Sequence, residues 1–171
     1  EQVVQQVTLL FDALKSGRLD ELRGALGLAA ISSLNLKQFD NSVKFADEFL
    51  LRVQDADKQA DIKGTRAVAL SHLNRFPEAI EALKSLAGTN ADQPQTWTAV
   101  LQAAEAALEQ GAPDSAEALF MLVEAAPENS EFHEAGLSGI AWSQFRGRKY
   151  AESEMSFAKL VAKFPDSRQA A

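Results

Sequence analysis

The side chains able to take part in bond-breaking chemistry are few, and their spacing does not suit it. There are two histidines, His72 and His133, and no cysteine, so thiolate nucleophiles, disulfides and sulfur-ligated zinc are excluded. The segment "EFHEAG" places Glu131, His133 and Glu134 together. A zinc-protease helix needs a second histidine one turn away, and adjacent helical residues point in different directions. A polar contact or solvent exposure suits His72 better than acid–base work. The pairs Asp20-Glu21 and Asp55/Asp57 fit helix starts, where carboxylates meet the positive end of the helix dipole. Gly24 and Gly27, like Gly136 and Gly139, fall within apolar helical segments rather than in a phosphate-binding loop, and read as points of close helix packing. No catalytic set, metal site or cofactor is expected; binding and structural spacing are the remaining classes of work.

The elements that must position these residues are helical nearly throughout. "EQVVQQVTLLFDALKSG" carries Val3, Val7, Leu10, Phe11 and Leu14 at three- and four-residue steps, followed by a helix stop at Ser16-Gly17. Strand-like alternation is nowhere sustained, aromatic content is 8%, and alanine and leucine dominate. With 171 residues, 46% of them hydrophobic and 24% charged, the chain can bury a sizeable interior. No apolar run approaches the roughly 20 residues that cross a bilayer, and the first residues lack the features of a signal peptide. Twenty-four acidic against 17 basic residues give a net charge of −7, with the basic residues scattered, so a nucleic-acid partner is not expected.

Comparison of the sequence with itself uncovers a period of 37 residues. Four alanines stand in register at Ala30, Ala67, Ala104 and Ala141. The same step links Phe39, Phe76, Pro113 and Tyr150; Ser42, Ala79, Ala116 and Ser153; Ala46, Leu83, Phe120 and Phe157; and Phe49, Leu86, Val123 and Leu160. The small residues would let two antiparallel helices approach closely, and the larger ones a turn later would fill the space between hairpins. The expected organisation is an N-terminal helix over 1–22, as a partial repeat or cap, then four units at about 23–59, 60–96, 97–133 and 134–170. A single hairpin cannot bury both faces, so stacking must supply the core.

This pattern resembles the tetratricopeptide repeat. In the last unit Ala141, Tyr150, Phe157 and Pro165 occupy the family's positions, with Ser153 where alanine is usual. Lys63 and Arg66 stand where the family has apolar packing, and 37 residues exceeds the usual repeat of about 34. The longer period and the ending "FPDSRQAA" are similar to the repeats of periplasmic Tol-Pal-associated coordinators and outer-membrane assembly lipoproteins, a likeness that favours an extracytoplasmic location.

The resemblance implies an all-α, right-handed solenoid whose concave face is lined by first helices and binds a protein or peptide. Carried over position by position, that face comprises Gly27, Leu28, Ile31 and Leu34; Asp61, Gly64, Val68, Ser71 and His72; Thr98, Leu101, Gln102, Glu105 and Leu108; and Ser138, Gly139, Trp142, Phe145 and Arg146. Of these, Ile31, Leu34, Val68, His72, Leu101, Glu105, Leu108, Trp142, Phe145 and Arg146 are the binding candidates. The family's carboxylate clamp is missing: its positions hold Gly27, Ile31, Val68, Thr98 and Gln102, so acidic C-terminal tails of chaperones are not expected ligands. Trp142 and Phe145 admit two readings, anchors for a partner or packing against a neighbouring repeat or loop. Two functions follow: a scaffold that holds a peptide or partner helix, or a spacer that self-associates as part of a larger repeat protein. The abrupt "RQAA" where another first helix is due leads to the expectation of a longer parent chain or of docking between ends.

Overall fold

The computed structural model describes residues 19–127 and 131–165. The helix expected from Val3 to Leu14 and its stop at Ser16-Gly17 lie outside the described residues. Among those residues are eight α-helices and no strand: α1 (Leu19–Asn35), α2 (Phe39–Arg52), α3 (Ala56–His72), α4 (Phe76–Thr89), α5 (Pro94–Glu109), α6 (Pro113–Leu122), α7 (Phe132–Arg146) and α8 (Tyr150–Lys163). A short 3-10 turn, Val123–Ala125, extends α6. None of these helices is long and apolar enough to cross a membrane. Each helix packs on the next, and α3 lies along α5, giving an α-solenoid of stacked hairpins.

The turn inside each hairpin is built the same way. Lys37, Asn74, Gly111 and Arg148, 37 residues apart, all take left-handed backbone conformations, with φ of 58°, 60°, 74° and 62°. Around each, the chain makes the same two hydrogen bonds: Lys37 N–H to Leu34 C=O and Gln38 N–H to Ser33 C=O, repeated through Arg148 N–H to Phe145 C=O and Lys149 N–H to Gln144 C=O. These bonds satisfy carbonyls that the helix end would leave open. The second helices therefore begin in strict register at Phe39, Phe76, Pro113 and Tyr150. Connections between hairpins differ, covering residues 53–55 and 90–93, with the last bounded by Ala125 and Phe132. From α3 onward first helices accordingly start later in their units, at Ala56, Pro94 and Phe132, with Pro94, whose fixed φ suits a first helical position, opening α5.

The small residues lie at the crossings. Ala30, Ala67, Ala104 and Ala141, with Ser42, Ala79, Ala116 and Ser153, are all buried. Ser42 Oγ donates to Ala30 C=O and Ser153 Oγ to Ala141 C=O, each at 2.9 Å, so the serines reach the first helix's backbone directly. Two turns on, Phe49, Leu86, Val123 and Leu160 are buried, each apolar side chain there contributing about 1.5–3 kcal/mol. Between the third and fourth hairpins the fit is tight: a Cβ added to Gly139 would lie 2.3 Å from the Phe120 ring, and one at Gly136 would lie 3.0 Å from Val123. Gly27 meets Phe49 in the same manner, whereas Gly24 is exposed with nothing near it, so close packing does not account for that glycine.

Polar links support the apolar layers. Gln144 Nε2 donates to Glu117 Oε1, Ser156 Oγ donates to Gln144 Oε1, and Lys149 Nζ reaches both Glu117 and Asp114. This set joins α6, α7 and α8. The charged Arg66 is accommodated by an ion pair with Asp47 across α2 and α3, while Lys63 is exposed. Trp97 is buried, its Nε1 donating to Ala91 C=O at 2.9 Å, and it fixes the entry into α5.

Two opposite glycine exchanges test this account in thermal melts. Gly139→Ala should cost a net of about 1–2 kcal/mol, the clash with Phe120 outweighing the better helix propensity of alanine, and lower the melting temperature by roughly 3–6 °C. Arg148→Gly should relieve the left-handed strain and add about 0.5–1 kcal/mol. An unchanged or higher melting point for Gly139→Ala would contradict the packing described.

Candidate binding groove

The first helices α1, α3, α5 and α7 share one face of the stack, and three hollows run along it. The first, about 300 Å³, is bordered by Ile31, Leu34, Asp61, Gly64, Val68 and Gln102, among others. The second, about 460 Å³, shares Leu34, Asn35, Val68 and Gln102 with the first and adds Lys37, Phe39, His72, Glu105 and Glu109. The third, about 730 Å³, shares Glu105 and Glu109 with the second and is closed by Leu108, Phe120, Trp142, Phe145 and Arg146. Shared walls make the three one continuous groove. Gly64 keeps α3 close to α5, since a Cβ there would lie 3.0 Å from that of Ala99.

Aromatic rings form one end. Trp142 and Phe145 are one turn apart on α7, edge to face at 5.8 Å between centroids. Trp142 also meets Phe157 of α8 at 5.5 Å, and Phe145 meets Tyr150 at 5.7 Å. Intramolecular packing thus holds both rings on one side, yet Trp142 is still 47% exposed and Phe145 50% exposed. The packing is made within the hairpin, against α8, and not against a neighbouring repeat.

Polar groups stand between the apolar ones. Arg146 Nη1 donates to Leu108 C=O at 3.1 Å, tying the guanidinium to the carbonyl end of α5, where cations are favoured. His72 stacks flat on Phe39, with centroids 4.2 Å apart and planes within 8°. Burial holds its imidazole below the ordinary value of 6.5; the Glu109 charge pulls the other way and the Lys37 charge reinforces burial.

The sequence candidates divide by location. Ile31, Leu34, Val68, His72, Glu105, Leu108, Trp142, Phe145 and Arg146 all border the groove, Val68 as a buried part of its floor. Leu101 does not line these hollows; it is half-buried against the central core, filling a position where the other units have Gly27, Gly64 and Ser138. Gly27, Leu28 and Ser71 are likewise off the groove walls, with Ser71 fully buried. Asn35, Lys37, Phe39 and Glu109 are lining residues that the sequence reading left out. The signal was available for two of them: Asn35, His72, Glu109 and Arg146 are spaced by 37, and only the second and fourth were named.

The hairpin of α7 and α8 has small residues at its crossing, an aromatic opening its second helix and Pro165 beyond its end. Residues 137–167 match the tetratricopeptide repeat. No curated protein matches the chain. The match spans Trp142, Phe145 and Arg146 and supports a tetratricopeptide repeat protein, in keeping with the all-helical stack. Such repeats generally mediate protein–protein interactions and are non-catalytic scaffolds.

The stacked histidine gives a pH test. Because the folded-state pKa of His72 lies below 6.5, the unfolded chain takes up the proton first as pH falls. Stability present above pH 6.5 should be lost between that value and the lower folded pKa. In urea titrations at about pH 7.5 and about pH 5.5, His72→Phe, which keeps the stack without the charge, should show a smaller loss than the native protein. Equal losses would remove His72 as the source.

Proposed function

We propose that the groove along α1, α3, α5 and α7 binds a segment of another protein and that the chain acts as a non-enzymatic scaffold. One observation carries this reading: Trp142 and Phe145 keep about half their surface open on the wall of the largest hollow, although Phe157 and Tyr150 lie beside them. Large aromatic side chains held in place before a partner arrives lose little freedom on binding and are enriched among residues that dominate interface energy. A hollow of about 730 Å³ with mixed walls fits side chains of a peptide or one face of a helix. The family's clamp positions hold Gly27, Ile31, Val68, Thr98 and Gln102, none of them cationic, so side-chain packing rather than capture of a terminal carboxylate selects the ligand. The proposal retains the organisation of an N-terminal helix and four units of 37 residues. An envelope role of the Tol-Pal-associated kind has the period and the "FPDS" ending as its support.

The two tryptophans make a direct experiment possible. Trp97 is buried while Trp142 is not, so collisional quenching of fluorescence reads mainly Trp142. A segment seated in the groove should protect that emission. Trp142→Ala and Phe145→Ala should each weaken binding by about tenfold or more, while Met155→Ala, at an exposed site on α8, should not. If Trp142→Ala lowers melting temperature and binding together but Phe145→Ala leaves binding untouched, the aromatic wall serves packing and the proposal fails.

A further inference from the structure

The middle of the groove carries two carboxylates that the fold does not use. Glu105 and Glu109 are one turn apart on α5, both exposed, and both border the central and the aromatic hollows. No ion pair among the described residues engages either one. Like charges at this spacing oppose helix formation, and a local feature that works against folding without compensation points to a task outside folding. The register sharpens this: the positions equivalent to Glu105 are Ile31, Val68 and Trp142, all apolar, so the third unit alone puts a charge at this point of the groove wall.

The neighbouring cations do not neutralise the pair. Lys37 borders the central hollow from the turn after α1. Arg146 borders the aromatic hollow with its guanidinium bonded to Leu108 C=O. His72, which feels the Glu109 charge, has its charged form disfavoured by burial. The groove therefore presents negative charge at its centre, cations to either side, and the Trp142 and Phe145 rings beside the carboxylates. The net charge of −7 adds a long-range field that favours approach of a positively charged partner.

We propose that the bound segment carries a lysine or arginine that enters between the two hollows to meet Glu105 and Glu109, next to a bulky apolar side chain that packs on Trp142 and Phe145. This rests on the groove being a peptide-binding site, and it adds the chemistry of the ligand. Paired carboxylates suit the fork of a guanidinium, and the adjacent ring faces attract a cation in their own right.

Selection from a randomised peptide display library on the native chain, and in parallel on Glu105→Gln/Glu109→Gln and on Trp142→Ala, tests it. The double glutamine exchange preserves shape and removes like charge, so its melting temperature should not fall. Peptides selected on the native chain should be rich in Lys or Arg beside Leu, Phe or Trp. That basic preference should vanish on the glutamine variant, with a loss of about tenfold or more for an individual arginine peptide by fluorescence anisotropy and weakening in high salt. Selected peptides that need Trp142 but show no basic excess would overturn the cationic proposal and leave the groove standing. Peptides that bind native and Trp142→Ala chains alike, or a library from which nothing is enriched, would overturn both.

Discussion

Everything in this molecule depends on how closely two helices can approach at one point in each hairpin. Where Ala30 meets Ser42 and Ala141 meets Ser153, the side chains are small enough for a serine hydroxyl to reach the facing carbonyl, and the buried Ala67, Ala79, Ala104 and Ala116 hold the same register in the other two hairpins. That contact sets the angle at which Phe49, Leu86, Val123 and Leu160 are offered to neighbouring layers. A hairpin with a wider crossing would present its large residues out of register, and stacking would lose the interlayer contacts on which its stability rests.

The groove is a product of the same arrangement. First helices lie beside one another, α3 meeting α5 through Gly64 and Ala99, and the side chains they do not commit to the core face a shared channel. What fills that channel changes along its length. Aliphatic residues border one end, two carboxylates stand at the middle, and a set of rings closes the other. The rings are held by α8 and the carboxylates by no ion pair among the described residues, so the aromatic part belongs partly to the fold, whereas the acidic part is surplus to it.

The periodic part of this structure was readable from sequence because it is enforced by identity at single positions. An alanine at a crossing or an aromatic at the head of a second helix can be found by counting in steps of 37. The groove was readable where the family's register places residues on the first helix, and it failed at Leu101, whose position belongs to the helix contacts: Gly27, Gly64 and Ser138 are buried at the equivalent places, and Leu101 packs half-buried against the central core. Fit between distant residues was not legible: that Phe120 needs the absence of a Cβ at Gly139 follows from the meeting of two surfaces, neither of which announces the other. Nor does sequence reveal that Lys37, a turn residue, borders the groove beside Glu109.

The turns within hairpins and the connections between them differ in a way that bears on how such a chain can change. The former repeat one backbone path, closed by two hydrogen bonds around a left-handed residue, and an added residue would break both. The latter already vary, from 53–55 to 90–93 to the longer join between Ala125 and Phe132, with second helices still starting every 37 residues because α5 and α7 give up length at their beginnings. Length variation has therefore been absorbed where hairpins meet. In a lineage of such chains, groove curvature can drift through those joints while each hairpin stays a fixed part, so the shape of the binding surface is freer to evolve than the units that compose it.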